Sequence, residues 1–500
     1  METELKLQVP PSQLERVRQH PALAEYAAGG AREHQLVDTY YDTAAHDLWK
    51  HGLTLRVREA GGTWVQTAKT AAVSSPALHE RGEWECTLPD ATPQPALLAR
   101  QMRPAPLARL LAGAGPLLPV FRNVTRRTTW SLRWPDGDEV ECALDAGRLE
   151  SGGQNTDIAE LELEMTRGTP AHLFELALAL HADIPLRMQN GSKAARGYAM
   201  LEPAPPRAVK ARPVELGRRT TLEDTLQLIG LNCLGQMEAN LPGVLEKDVE
   251  SLHQMRVGLR RLRALLDMFG ELAPAPAEVV EGLDWLAGAL GATRDWDVLA
   301  DSTLVRVNGI DPDALRQAAR ARADKLHKDM LHTVQSARFT QVLLSVNGWL
   351  HGRQWRAAGA LPQRSPLARR GAKSCLPLLG KAEKRLRRRI AGFDGKDPQQ
   401  RHRIRIAAKK ARYGAEFFRD LLPAKPVKRY VARLSDLQDR LGLLNDFAVA
   451  DGLLPELQKG NGEIARQAAY ARGYLAAAAE ADSRALAASL KAVAKLRLAP

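Results

Sequence analysis

Between residues 202 and 213 the chain changes its hydrophobic period, from mainly two to helical, which predicts a domain boundary there. That segment carries four prolines in twelve positions. Each proline fixes φ and removes an N–H donor, so the stretch reads as a stiff interdomain linker. Upstream, apolar and polar residues alternate in short runs at 2–9, 54–58, 64–69, 83–88, 125–134, 139–144 and 158–165. Turn signals such as Gly61-Gly62 and Pro135-Asp136-Gly137-Asp138 separate them. A period of two predicts antiparallel strands, with helices over 11–28 and 170–182. Downstream, the period becomes helical over 222–238, 247–269, 279–290, 312–336, 382–390, 400–422, 427–444 and 462–493. Alanine, leucine and arginine dominate there and β-branched runs are scarce, which predicts an all-α half.

The helical half repeats internally. His253-Gln254-Met255-Arg256-Val257-Gly258-Leu259-Arg260-Arg261-Leu262-Arg263 matches His402-Arg403-Ile404-Arg405-Ile406-Ala407-Ala408-Lys409-Lys410-Ala411-Arg412 at an offset of 149. Leu290-Gly291 through Asp295 likewise matches Leu441-Gly442 through Asp446, and the His-to-Asp separation is 42 in one copy and 44 in the other. A duplicated helical unit is expected, with repeats of about 214–345 and 365–500.

Charge divides the chain at the same place. Residues 1–200 hold 21 basic and 25 acidic side chains, which leaves 201–500 with 50 basic and 33 acidic, a net of +17. An excess of that size points to a polyanionic partner for the helical half. The four cysteines (Cys86, Cys142, Cys233 and Cys375) form no CxxC pair, which argues against a zinc or redox motif and fits a reducing compartment. The N-terminus has no apolar leader and no run of 18 uncharged apolar residues occurs, so a cytoplasmic location is expected.

Strand residues two apart share a face. Glu2, Glu4 and Lys6 therefore point one way, with Leu5 and Leu7 opposite, and Glu160, Glu162 and Glu164 form a second acidic row. Arg56 and Arg58 share a face, Lys69 lies on the next strand, and Arg126 and Arg127 stand on another. Lys193 and Arg196 follow the last helix of this half. Like carboxylates on one face repel and are tolerated best when water or a hard cation neutralises them, and Mg²⁺ and Mn²⁺ prefer oxygen ligands of this kind. Guanidinium forks suit phosphate oxygens. Acidic and basic rows turned into a closed barrel would make a cation-plus-phosphate site.

These residues resemble the CYTH family, also called triphosphate tunnel metalloenzymes. Glu2-Thr3-Glu4-Leu5-Lys6 is similar to its ExExK signature, and Leu55-Arg56-Val57-Arg58, Thr67-Ala68-Lys69, Arg81-Gly82-Glu83, Glu160 to Glu164 and Ser192-Lys193 follow in the family's order. The resemblance covers about residues 1–200. It implies an α+β domain built on an eight-stranded antiparallel β-tunnel, at 1–201, that hydrolyses triphosphates with Mg²⁺ or Mn²⁺. Carried over residue by residue, it implies catalytic roles for Glu2, Glu4, Lys6, Arg56, Arg58 and Lys69. Substrate binding would fall to Lys6, Arg56, Arg58, Lys69, Arg81, Arg127 and Lys193, and metal binding to Glu2, Glu4, Asp145, Glu160, Glu162 and Glu164, with the choice among the last three open.

In the second half, at roughly 100° per residue, His253, Arg256, Arg260 and Arg263 fall within about 80° of one helix face. His402, Arg405, Lys409 and Arg412 repeat that stripe, with Lys410 beside it. Asp295 and Asp446 could compensate the stripes by pairing with them; otherwise the stripes bind a polyanion. The two His motifs and two Leu-Gly…Asp motifs resemble the CHAD family, over about 214–500. That resemblance implies a duplicated helical-bundle domain that binds inorganic polyphosphate through His253, Arg256, Arg260, Arg263, His402, Arg405, Lys409, Lys410 and Arg412, and association with polyphosphate granules.

The whole chain resembles a bacterial inorganic triphosphatase. Expected partners are inorganic triphosphate and polyphosphate, with no membrane. Nucleic acid is disfavoured because 5% aromatic content leaves few stacking platforms. The competing readings are a class IV-type adenylyl cyclase, a thiamine triphosphatase, and a non-catalytic polyphosphate scaffold.

Overall fold

The computed structural model describes residues 2–70, 73–74, 77–103, 105–309, 313–356, 361, 364–395, 397–459 and 462–498. The chain forms two compact units, one comprising 1–206 with 335–352 and the other 207–334 with 353–500.

The first unit is an antiparallel sheet of β1 (Glu2–Gln8), β2 (Arg32–Asp42), β3 (Leu53–Ala60), β4 (Thr63–Thr70), β5 (Val73–Ser74), β6 (Leu78–Arg81), β7 (Glu83–Leu88), β8 (Leu118–Arg133), β9 (Glu139–Ser151), β10 (Gln154–Arg167) and β11 (Arg187–Met188). The order is β5-β6-β1-β10-β9-β8-β2-β3-β4-β7, with β11 also on β1. Only Gly82 separates β6, which pairs β1, from β7, which pairs β4. Its carbonyl accepts from Thr70 N at 3.0 Å. A Cβ there would lie 2.6 Å from the Trp84 indole, so a larger residue would have to displace that ring. This single kinked strand joins both ends of the sheet, and the ring closes with eight sides; the short β5 and β11 lie outside it. The eight strands expected thus become eleven among the described residues, because the ring strand breaks at Gly82 and two short edge pieces add to it.

Alternation sets what faces where. Leu5, Leu7, Cys142, Leu144, Leu161 and Leu163 point out of the ring into a buried apolar cluster with α1 (Ala171–Asp183). Their neighbours Glu4, Lys6, Asp145, Glu160 and Glu162 point inward. The core therefore lies outside the sheet and the charges inside it, the reverse of a small filled barrel. Strand β2 is not among the expected runs, since Asp38 and Asp42 interrupt its apolar alternation. The helix expected over 11–28 is three short pieces, broken where Pro21 starts a new turn. Lys193 and Arg196, expected after the last helix, instead stand on a helix of their own, α2 (Lys193–Leu201), capped by the Ser192 side chain accepting from Ala195 N.

The second unit has two sets of four long helices: α3 (Leu222–Ala239), α4 (Val249–Phe269), α5 (Ala277–Val298) and α6 (Asp313–Val334), then α8 (Ala372–Ala391), α9 (Pro398–Phe417), α10 (Ala424–Gln458) and α11 (Gly462–Ala494). Each His-containing motif lies on the second helix of its set, and each motif aspartate on the third. The sets share core: Trp296, Leu299 and Ala323 pack with Phe447, Leu454 and Ala468. The intervening α7 (Ala337–His351) belongs to the first unit, where Leu344 is buried in the apolar cluster with Leu173 and Phe174. Part of the proline-rich segment is pinned rather than free. Val209 N donates to Asn240 Oδ1 at 2.9 Å, and Val209 O accepts from Asn240 Nδ2 at 2.8 Å. Among the described residues, no helix is long and apolar enough to cross a membrane.

Candidate functional site

The pairing register brings the charged rows together inside the ring. Glu4 stands opposite Glu164, and Lys6 opposite Glu162, on β1 and β10. Asp145 stands opposite both Glu160 on β10 and Arg127 on β8. On the far side, Arg56 and Arg58 of β3, Lys69 of β4 and Thr54 line the same tunnel, which Lys193 enters from α2. Arg127 rather than Arg126 turns inward; Arg126 is exposed. Glu2 and Arg81 lie on β1 and β6, but their side chains fall outside the described residues.

Ion pairs knit these groups together. Lys6 Nζ lies 2.7 Å from Glu162 Oε1 and 3.0 Å from Glu4 Oε1. Arg127 engages Asp145 through Nε at 2.7 Å and Nη2 at 2.6 Å, and reaches Glu162 at 2.5 Å. Lys193 Nζ touches Asp145 at 2.7 Å, Glu162 at 3.0 Å and Glu160 as well, and Glu160 also pairs with Arg196. Lys69 meets Glu83 at 2.9 Å. Burial pushes the Glu162 carboxyl up, but Lys193, Lys6 and Arg127 outweigh it and hold it well below the usual carboxylate range. Burial likewise opposes the charge on Lys193, yet Asp145, Glu160 and Glu162 raise its pKa. The buried oxygens of Asp145, Glu160 and Glu162 lie within 4.8 Å of one another, hard donors of the kind a divalent cation takes. Lys193 already sits among those three, whereas Glu4 and Glu164 face each other farther along the wall.

Helix α2 holds Lys193 by close packing. A Cβ on Gly197 would lie 2.3 Å from the Phe121 ring. Gly197→Ala must therefore lift α2 off the sheet and withdraw Lys193 and Arg196. The expected cost is about 1–3 kcal/mol of stability from overpacking, with a drop in tunnel activity, checked by denaturant melts beside turnover.

Sequence reading missed Asp38 of β2. It is fully buried and bonded to Arg58 Nε at 2.6 Å and to Asn123 Nδ2 at 2.9 Å. Its signal was a lone acid at an inward position of an unrecognised strand. A separate cluster of Asp136, Asp138 and His172 sits by the β8–β9 turn. There Asp136 and Glu175 occupy both ring nitrogens of His172, each at 2.8 Å.

In the second unit, Arg260 and Arg263 of α4 line one groove with His402, Arg405, Lys409 and Lys410 of α9. Arg256, Arg260 and Arg405 each bury an Nε with no hydrogen-bond partner among the described residues. Burial and Arg260 lower the Arg256 pKa to about 10. Burial, then Arg405, Arg260 and Arg412, lower Lys409 to about 7. Burial and neighbouring Arg294 also lower half-buried His253. Burial raises Asp295 and Asp446, and neither makes an ion pair with the stripes among the described residues. These aspartates compensate the stripes only in part and through space, Asp295 acting on Arg256 and Asp446 on Arg405 and Lys409. Arg412 turns elsewhere, held by Gln438 at 2.9 Å and Glu416 at 2.6 Å.

Comparison with known proteins agrees with this division. Residues 1–198 match the CYTH domain model and residues 229–455 the CHAD domain model. An inorganic triphosphatase of Haemophilus influenzae is 31% identical over 172 residues, which is 34% of this chain and 47% of that protein. The match thus spans about half the length of that curated relative. An uncharacterized protein of Mycobacterium tuberculosis is 26% identical over 410 residues, covering 76% of this chain and 75% of its own. The crystal structure of the CHAD domain from the plant Ricinus communis superposes with a TM-score of 0.53 at 33% identity, covering 59% of this chain and 99% of that one. Tunnel, duplicated bundle and both family matches agree: the chain is a member of the CYTH and CHAD families, with a CYTH domain followed by a CHAD domain.

Proposed function

We propose that the tunnel hydrolyses a phosphoanhydride bond of inorganic triphosphate in the presence of a divalent cation, and that the helical unit binds polyphosphate. The observation that carries the first half is the convergence of Lys6, Arg56, Arg58, Lys69, Arg127 and Lys193 on a tunnel that also holds Glu4, Glu162 and Glu164. Six cations facing a short channel suit a chain of three phosphoryl groups and little else. Tyr40 is the aromatic residue among the described lining, and its ring stacks on Phe121 at 4.4 Å. That leaves no open platform for adenine or a thiazolium ring, which favours inorganic triphosphate over ATP or thiamine triphosphate.

Glu4, Glu162 and Glu164 would hold Mg²⁺ or Mn²⁺, together with Glu2; Glu160, tied to Lys193 and Arg196, would anchor α2. When bound, the cation supplies charge neutralisation for phosphate oxygens and polarises the bond to be broken. Arg56, Arg58 and Lys69 grip one end of the chain, and Lys6, Arg127 and Lys193 offset charge on the transferring and departing groups. Each positioned donor of this kind is worth roughly 10²–10³ in rate. Glu162, held ionised by its three cations, keeps that cluster aligned. A glutamate of the tunnel orients the attacking water by accepting its hydrogen bond.

The test is phosphate release from tripolyphosphate, ATP and thiamine triphosphate with and without divalent metal. Glu4→Gln should abolish release and leave polyphosphate binding unchanged. Preference for ATP with cyclic AMP formation would overturn this assignment.

For the helical unit, the support is the set of buried guanidinium nitrogens without partners among the described residues at Arg256, Arg260 and Arg405, the last two of which line one groove. Lys409 adds a pH signature. With its folded pKa lowered to about 7, Lys409 is charged below that pH and neutral above it. A polyanion favours the charged form, so binding above neutrality must take up a proton. Affinity should fall between pH 6 and 8.5, approaching tenfold per unit at the upper end. Calorimetry in buffers of different ionisation enthalpy would read that proton, and Lys409→Ala should flatten the profile.

A further inference from the structure

Asp38 stands at the middle of β2, directly opposite Arg58 on β3 and Asn123 on β8. Its carboxylate is fully buried, and it is not among the residues lining the tunnel. It takes Arg58 at both oxygens, from Nε at 2.6 Å and from Nη2 at 3.2 Å. Arg56 Nη1 lies 3.7 Å from the same Oδ2 that Asn123 Nδ2 engages at 2.9 Å. Asn123 is itself fixed, because its Oδ1 accepts from Thr125 Oγ1 at 2.7 Å. Burial opposes the Asp38 charge, but Arg56 and Arg58 outweigh it and hold the group ionised. A buried carboxylate behind two tunnel arginines, itself braced by a second polar pair, is more than one ion pair needs.

We propose that Asp38 is a positioning residue, which from the inner face of β2 fixes the Arg58 guanidinium plane through two hydrogen bonds and draws Arg56 toward it by charge, so that Arg56 and Arg58 meet the same stretch of a bound triphosphate. The proposal rests on reading the tunnel as a triphosphate site. A guanidinium fork presents parallel donors only when its plane is set, and an unfixed arginine must be ordered at the cost of binding. Lost positioning therefore appears in KM, whereas a general loss of fold appears in the active fraction and hence in kcat. Asp38 acts through its arginines, so its effect must vanish when they are absent.

The experiment uses the full chain. KM and kcat for tripolyphosphate, and its affinity by calorimetry, are measured for wild type, Asp38→Asn, Arg56→Ala/Arg58→Ala, and the triple variant. Asp38→Asn should raise KM about tenfold or more, as expected for hydrogen bonds to charged groups, and leave kcat within about threefold. Adding it to the double arginine variant should change nothing further. An unchanged KM, or the same fold-change with and without the arginines, overturns the proposal. Should Asp38→Asn not fold, Asn123→Ala removes only the bracing donor and must raise KM partway; no rise overturns the proposal. Wild type that binds tripolyphosphate without hydrolysing it would overturn the hydrolase reading alone, and the affinities would then decide on Asp38. Wild type that neither binds nor hydrolyses it would overturn both.

Discussion

Lys193→Ala should leave hydrolysis at least about a hundredfold below wild type and weaken the first unit. The ammonium lies within reach of Asp145, Glu160 and Glu162, all three buried. Removing one partner from a buried charge network strands the others and costs about 3–5 kcal/mol. The pH dependence has a definite sign. Asp145 and Glu162 have pKa values lowered in the fold, so their contribution is present above the unfolded carboxylate value and is lost as pH falls through the folded values. Lys193 has a raised value, so its share is present below the unfolded lysine pKa and is lost only as pH rises through the folded one. The deficit of the variant should thus be full between about pH 5 and 10 and should shrink under acid, where the stranded carboxylates can protonate. Guanidinium melts across pH 3–9, with phosphate release beside them, would measure both. Lys193→Met serves as a control of similar volume. Retained activity and an unchanged acid limb would contradict this account of the tunnel.

The helical groove should behave in the opposite way. Arg405 lines it, Arg256 is the motif equivalent of Arg405 on α4, and each buries an unpartnered Nε. Burial and Arg260 lower the pKa of both, and outweigh the opposing pull of Asp446 on Arg405 and of Asp295 on Arg256. Arg256→Gln/Arg405→Gln should therefore relieve repulsion and raise the melting temperature by a few degrees, at roughly 2–4 °C per kcal/mol for a unit of this size. The same change removes two charge-assisted contacts of about 1.5–3 kcal/mol each, so polyphosphate affinity should fall by about 10²–10⁴. Greater stability with weaker binding is the pattern of a site kept under strain for its ligand. Calorimetry at two salt concentrations and a thermal melt would read both changes. Lower stability with unchanged affinity would show that the arginines serve the fold.

Much of this was legible because strand alternation and helical period are local signals. The inward rows at Glu4, Lys6, Arg56, Arg58, Glu160 and Glu162 follow from counting by twos. The duplicated His and Asp motifs mark the second and third helix of each set. What was not legible depends on partners far apart in the chain. Asp38 looks like a break in a strand until β3 and β8 flank it. Arg196 reaches Glu160 only because Gly197 lets α2 approach Phe121 closely. The divergence of Arg412 from its stripe is decided by Gln438 and Glu416. The bend at Gly82 closes a ring whose two ends give no sign of each other in the sequence.

Helix α7 has a consequence for the order of synthesis. The cluster outside the sheet that buries Leu5, Leu163 and Phe174 also needs Leu344. A ribosome that has finished residue 206 has supplied every strand and still lacks one piece of that interior. Some 140 further residues must emerge before it is filled. The nascent first unit must wait with an oily gap in its flank, so the two halves cannot be made as independent modules, one finished before the other begins.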